Sequence, residues 1–344
     1  MPSSAFIRDL YARCKMHGTG DAQVIISDAE LHALIFLALL NLGWDHDKLL
    51  IPPVDLPDTD YYTIPLSWFE NTKVGTSNPS DIQSYLQHCF EKDNDFSLFI
   101  ENLAALHRRR MKYRRILRLQ PLPTMDQIGP RALLEFGACD IELQAHWMVW
   151  RKWIYDIDNR AAQETGYLFE PLLASCLGGK PVGARNSPVK RLDAQGIPTD
   201  KGRQIDCLVP STSTAYEFKL RVTIAASGQG RFAEELSFPE EAAAAGLKPV
   251  LLVLDSTPSA RLTELSAKFL ACGGECFLGE DAWQHMAQQA GAVISVFIER
   301  FIKPAIHKIE HVDLSELQPI SLNWSEDVVE IRSPSAVYRV GRKQ

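Results

Sequence analysis

The sequence predicts an α/β (α+β) fold with a mainly helical N-terminal region, and three observations predict it. The first is Ser27-Asp28-Ala29-Glu30, a capping-box pattern set directly before the apolar run 31–42, which marks a buried helix early in the chain. The second is a pair of short runs rich in β-formers, 205–209 and 215–222, split by Pro210 and the polar tetrad 211–214, the pattern of a β-hairpin. The third is Pro249-Val-Leu-Leu-Val-Leu-Asp255, a continuous apolar run of the kind a strand shows when both its faces are covered.

Composition bounds what such a chain can do. Its 344 residues, 46% hydrophobic and 23% charged, suffice for one large domain or two. A formal net charge of -7 excludes bulk basic character, so any contact with nucleic acid must come from local patches. The seven cysteines show no paired framework and the start Met1-Pro2-Ser3-Ser4 shows no secretory pattern, so reduced thiols and a cytoplasmic location are expected. Cys272 and Cys276 offer two ligands where a structural zinc site needs four. The run 31–42 is too short to span a bilayer, so no membrane association is expected.

Taken in order, the helix over 31–42 is expected to end at Gly43. Residues 51–65 carry four prolines and 67–80 are loop-like, after which 81–90 read as a short helix. Residues 101–119 are helical in pattern and carry Arg108, Arg109, Arg110, Lys112, Arg114, Arg115 and Arg118 among Leu103, Leu106, Met111, Ile116 and Leu117. Such a helix can neutralise phosphates along a duplex, or it can balance the acidic segment before it. Pro121, Pro123 and Gly129-Pro130 mark a boundary. Residues 131–158 read as a helix whose Trp147, Trp150 and Trp153, spaced by three, line one face suited to a core or an interface. A second helix over 164–177 stops at Gly178-Gly179. Its Glu170 sits among apolar residues, where a carboxylate is expensive unless paired or metal-bound, and Pro171 is expected to kink it.

Residues 180–200 are loop-rich, and Arg185, Lys190 and Arg191 lead basic charge toward the hairpin. Beyond it, Ser227 can cap a helix that runs to 245. Gly228 and Gly230 there permit close approach of a phosphate, which makes Gln229 and Arg231 candidate contacts, and a simple loop-to-helix transition explains the same glycines equally well. Residues 262–271 are helical, 275–278 suit an edge strand, and 282–307 are helical with a break near Gly291. The runs 328–332 and 336–340 form a terminal hairpin.

Chemistry concentrates in the first hairpin. Alternation puts Glu217 and Lys219 on one side of their strand, and pairing can bring Asp206 beside Glu217. Two carboxylates and an ammonium at one point suit phosphodiester hydrolysis, because hard oxygen ligands hold Mg²⁺ and a lysine can orient water or neutralise the transition state. A solvated strand face with a Glu/Lys pair and an unrelated Asp has the same spacing.

With helix, hairpin, helix, buried strand and helix in that order, the region from Glu164 to about Ala271 resembles the PD-(D/E)XK nuclease core, most closely that of type II restriction endonucleases. The residues that carry the resemblance are Ile205-Asp206, Glu217-Phe218-Lys219 and the upstream helix with Glu170; Ile205 stands where the family often has proline. The resemblance implies a mixed central sheet flanked by helices, with Asp206 and Glu217 as metal ligands, Lys219 assisting the attacking water and Glu170 as an accessory ligand. It implies Mg²⁺-dependent, site-specific cleavage of double-stranded DNA by a homodimer. The expected domains are a helical region over 1–125 with a DNA-binding or dimerisation role, the nuclease core over 126–312 and a hairpin tail over 313–344. A repair or junction-resolving nuclease on the same core, and a DNA-binding protein that makes no cut, are the alternatives.

Overall fold

A computed structural model describes residues 4–17, 23–71, 78–129, 141–219, 229–255, 257–311, 321–325, 327–333 and 336–342, without the side chains of 17, 143, 161–169, 171, 172, 229–231 and 310. They fall into two units, 1–165 with 299–344, and 166–298.

The first unit begins with helix α1 (Ser4–Lys15) and a two-stranded antiparallel ribbon of β1 (Met16–His17) and β2 (Val24–Ile25). Helix α2 (Asp28–Leu42) follows, opened by the expected capping box: the Glu30 amide donates to the Ser27 hydroxyl and the Ser27 amide donates to the Glu30 carboxylate. Gly43 closes it with φ 66°, a left-handed conformation that glycine adopts without a Cβ penalty. Residues 30–39 are all buried, as befits a helix apolar on every side and packed against α1, α4 (Pro79–Lys92) and α5 (Phe96–Leu119). Asn78 caps α4 and Pro79 supplies its preset first turn. Where 67–80 read as loop, Leu66–Asn71 form a short helix, α3, and bury Phe69.

Two helices expected over 131–158 and 164–177 form one, α6 (Ile141–Cys176), continuous through Pro171, while 130–140 lie outside the described residues. The indoles divide. At about 100° per residue, a step of three falls short of a turn by about 60°, so Trp147 and Trp153 point about 120° apart. Trp153 is buried and stacks on Trp324 at 5.4 Å, while Trp147 and Trp150 stack on each other at 5.2 Å and remain exposed.

The second unit holds a five-stranded mixed sheet. Its chain order is β3 (Lys180–Val182), a small hairpin of β4 (Lys190–Leu192) and β5 (Pro198–Gly202), then β6 (Ile205–Val209), β7 (Thr214–Lys219), helix α7 (Gln229–Ala244), β8 (Lys248–Val253), helix α8 (Ala260–Ala271), β9 (Glu275–Leu278), and helices α9 (Glu280–Gln289) and α10 (Ala292–Phe297). The strand order is β3-β6-β7-β8-β9, with β3, β6 and β7 antiparallel and β7, β8 and β9 parallel. The expected buried strand, β8, lies inside the sheet, and β9 is at its edge. Phe238 and Ala242 from α7 and Leu262, Leu265 and Phe269 from α8 pack on Ala215, Leu251 and Val253 to form its core.

Helix α11 (Lys303–Glu310) belongs to the first unit, as does a three-stranded antiparallel sheet of β10 (Ser321–Trp324), β11 (Val328–Arg332) and β12 (Val337–Gly341). The terminal hairpin thus gains a strand that sequence patterning did not reveal. Val329 and Val340 pack with Ile116, Leu117, Trp153 and Ile157. Among the described residues no helix is long and apolar enough to cross a membrane.

Candidate active site

The β6-β7 hairpin sets the site by register. Cys207 faces Tyr216, Leu208 faces Ala215 and Val209 faces Thr214, so the residue that precedes this ladder on β6, Asp206, comes to the end of β7 that carries Glu217, and both line one cleft. The turn between them is a 3₁₀ segment, Pro210–Thr212, followed by Ser213 at φ 51°. On β7, Ala215, Glu217 and Lys219 share a face. Ala215 lies in the core under α7, and the two polar residues carry that face out into a cleft of about 390 Å³. Glu170, Asp206, Glu217, Lys219 and Glu235 line it.

Two hydrogen-bonded ties fix the geometry. The Phe218 amide donates to Asp206 Oδ2 at 2.9 Å, which ties the Asp206 carboxyl to the opposite strand. The Lys219 ammonium donates to Glu217 Oε1 at 3.0 Å and to Glu235 Oε1 at 3.1 Å, so it bridges the sheet and α7. Burial pushes the Asp206 carboxyl well above the usual carboxylate range; repulsion from Glu217 and Glu170 adds to this, against the Phe218 amide and Lys219. Glu170 is raised by burial and by Glu217. Burial works against the charge on Lys219, but Glu217, Glu235 and Asp206 outweigh it and hold the ammonium above its ordinary value.

As a donor set this suits a hard cation. Asp206 and Glu170, both raised by burial and by the charge of Glu217, are relieved by positive charge in the cleft, and Glu235 Oε2 is buried with no hydrogen-bond partner. Among the described residues no three His, Cys, Asp or Glu side chains form a cage around an ion. Mg²⁺ does not require one, because it keeps several waters and takes one or two carboxylates together with substrate phosphate.

A family model for the ApaLI-like restriction endonucleases matches residues 58–303. The type II restriction enzyme ApaLI of Acetobacter pasteurianus is 43% identical over 300 residues, covering 85% of this chain and 78% of that enzyme. The chain belongs to the ApaLI-like restriction endonuclease family. No solved structure matches it.

The cleft of this ApaLI-like chain holds Asp206, Glu217, Lys219 and Glu170, the four candidates of the sequence, and adds Glu235, which the hairpin pattern alone does not single out. The signal was present: Glu235 precedes Phe238 by three and Ala242 by seven, which places a carboxylate on the apolar stripe of α7. Arg203 was also missed. Its Nη2 donates to the Glu234 carbonyl at 2.7 Å, its Nε lies 3.8 Å from Glu241, and its guanidinium sits over the Phe238 ring, so it pins α7 to the start of β6.

The basic helix is α5, and the structure uses much of its charge internally. Arg108 is 4% exposed and donates through Nη1 to the carbonyls of Arg13 and Cys14. Arg110 donates to the carbonyls of Tyr61 and Ile64, each at 2.9 Å, and Lys112 is buried. Turning Arg108 or Arg110 to a phosphate would strand those carbonyls, so the expectation of DNA contact is corrected for these two. Arg109 is half-buried. Arg114 pairs with Glu70 at 3.2 Å and Arg115 donates to the Gln23 carbonyl. Both stay exposed, and with Arg118 they line a groove of about 360 Å³. In the second unit Arg185 is exposed, Lys190 is half-buried, and Arg191 pairs with Glu234 at 3.1 Å beside the cleft. The side chains of Gln229 and Arg231 lie outside the described residues.

Proposed function

We propose that this chain is a type II restriction endonuclease that hydrolyses phosphodiester bonds of double-stranded DNA at a specific site, with the cleft of the second unit as its active site. The observation that carries the reading is the meeting of Asp206, Glu217 and Lys219 in one cleft, in a member of a restriction endonuclease family. The second unit then contains a PD-(D/E)XK core, within the expected span 126–312.

Asp206 and Glu217 would hold Mg²⁺, with Glu170 as the accessory carboxylate across the cleft. When bound, the cation offsets negative charge at the scissile phosphate and makes water a better nucleophile. The Phe218 amide keeps Asp206 aimed into the cleft, and its bond favours the charged carboxylate. Lys219 keeps its proton and sets a fixed positive charge where charge grows on the phosphate oxygens. The exposed Arg114, Arg115, Arg118 and Arg185 are the proposed phosphate contacts. Cutting both strands of a two-fold site calls for two such clefts, which a homodimer supplies.

The test is incubation of the pure protein with plasmid DNA and Mg²⁺, resolved on a gel. Discrete fragments are the expected result. A smear would mean cleavage without sequence recognition, and unchanged plasmid under conditions that support binding would overturn the nuclease reading.

A further inference from the structure

We propose that Glu235 is a positioning residue for the cleavage step, holding the Lys219 ammonium in place when Glu217 is engaged as a ligand. The inference rests on the roles proposed above for Glu217 and Lys219.

Lys219 reaches the cleft on a flexible four-carbon stem, and one acceptor would leave its nitrogen free to swing about that acceptor. It has two, Glu217 Oε1 at 3.0 Å and Glu235 Oε1 at 3.1 Å, which approach it from different elements. Glu217 lies two residues away on the same strand and is the group proposed to bind the cation. An oxygen committed there is no longer available to Lys219. Glu217 keeps a second oxygen but is shared between cation and ammonium, and Glu235 is the acceptor committed to Lys219 alone.

The helix that carries Glu235 is built to hold it still. Phe238 and Ala242, one and two turns further on, are fully buried in the sheet core, and Arg203 ties α7 down through the Glu234 carbonyl, Glu241 and the Phe238 ring. A functional group on a packed helix is placed more tightly than one on a loop. Asp206 and Glu170 also face the ammonium's surroundings from β6 and α6, but neither makes a hydrogen bond to Lys219 comparable to that of Glu235.

A role confined to packing carries an unexplained cost. Glu235 Oε2 is buried without a hydrogen-bond partner, which is unfavourable for a carboxylate that serves only to fill space. Replacing both members of a buried ion pair by apolar residues is often neutral or stabilising, whereas removing one alone leaves the other charge short of a partner. A packing role therefore predicts a loss of stability with the cleavage rate intact, and a positioning role predicts a loss of rate that depends on Lys219.

The experiment compares wild type, Glu235→Leu, Glu235→Gln, Lys219→Met and the double variant Lys219→Met/Glu235→Leu, by single-turnover cleavage and by Ca²⁺-supported DNA binding. Glu235→Leu is expected to lower the cleavage rate by on the order of tenfold or more, since small displacements of a catalytic group are costly, while DNA affinity stays at or above wild type. Glu235→Gln, which keeps an oxygen acceptor, recovers part of the rate. In the Lys219→Met background Glu235→Leu has no further effect, because the group it positions is gone. Thermal unfolding of the same set in EDTA reads the Lys219–Glu235 pair without cation or cleavage, and the two substitutions are expected to be non-additive. A Glu235→Leu variant that cuts at the wild-type rate beside a slow Lys219→Met overturns the proposal alone, as does a multiplicative loss in the double variant. Lys219→Met cutting at the wild-type rate removes the reading of Lys219 and this proposal with it. If Glu235→Leu does not fold, Glu235→Gln and its combination with Lys219→Met decide by the same criteria.

Discussion

Replacing Asp206 by Asn should abolish cleavage and yet stabilise the cation-free protein. The substitution keeps the size of the side chain and leaves an oxygen for the Phe218 amide, so the cross-strand tie survives while one negative charge is removed. Glu217 is the charged neighbour that acts most strongly on Asp206, and two like charges about 5 Å apart repel by about 3 kcal/mol at an effective dielectric constant of about 20. Asp206 feels this from Glu217 and more weakly from Glu170, with Lys219 offsetting part of it, which leaves a net relief of about 1–3 kcal/mol. At about 3 °C per kcal/mol, Tm in EDTA at pH 7 should rise by about 3–9 °C.

The pH dependence checks the cause. The folded carboxyl of Asp206 is raised above its unfolded value of about 3.9, so between those two values the native state holds more protons than the unfolded state. Wild-type stability therefore falls as pH rises through that window. Below about pH 3.9 the carboxyl is neutral in both states and no penalty exists. The Tm gap between variant and wild type should be small near pH 3.5, open as pH rises and then level off. Adding Ca²⁺ should raise the wild-type Tm and leave the variant much less affected. Differential scanning calorimetry across pH, with and without Ca²⁺, measures all three. A variant less stable than wild type at pH 7 in EDTA, or a gap independent of pH, would refute the electrostatic account of the site.

Three further outcomes follow from the same geometry. Chelation with excess EDTA should stop plasmid cutting and restored Mg²⁺ should recover it; robust cutting in EDTA would reject the cation's role. Neutralising Arg114, Arg115 and Arg118 together should weaken binding to all DNA sequences alike and flatten the slope of log K against log salt by about 0.9 for each phosphate no longer neutralised, whereas Arg108→Gln should lower Tm and leave the slope unchanged. Gly202→Ala should destabilise the second unit by about 1–3 kcal/mol and slow cleavage, because a Cβ there would overlap the Ala184 carbonyl beside the cleft; a wild-type Tm would show that this contact yields freely.

Local signals were legible wherever a residue type has one strong structural use. The Ser27 and Glu30 box, Gly43, the β6-β7 hairpin and the buried β8 were all readable because capping, left-handed φ, alternation and two-sided burial leave marks within a few residues. Long-range use of charge leaves no such mark. Arg108 and Arg118 look alike in sequence, and only the position of the Arg13 and Cys14 carbonyls makes the first structural. Likewise the spacing of Trp147, Trp150 and Trp153 fits a shared face until the drift of about 60° per step is counted, and only the position of Trp324 shows which indole is buried.

The site's place in the sheet explains why its fifth polar residue comes from a helix. Strand β7 pairs antiparallel with β6 on one side and parallel with β8 on the other. The antiparallel partner brings the start of β6, with Arg203 and Asp206, to the end of β7 that carries Glu217 and Lys219. The parallel partner requires the chain to leave β7 at that same end and return to the opposite end before β8 begins, with α7 lying across the face between them. The early residues of α7 therefore lie near the carboxyl end of β7, and the later ones descend onto the apolar part of the sheet. Glu234 and Glu235 fall in the first group and Phe238 and Ala242 in the second, consistent with the pairing of Arg191 with Glu234 and of Lys219 with Glu235. An acidic residue on the buried stripe of the helix that follows the Glu-Phe-Lys strand, within its first two turns, is therefore a position that topology aims at the cleft.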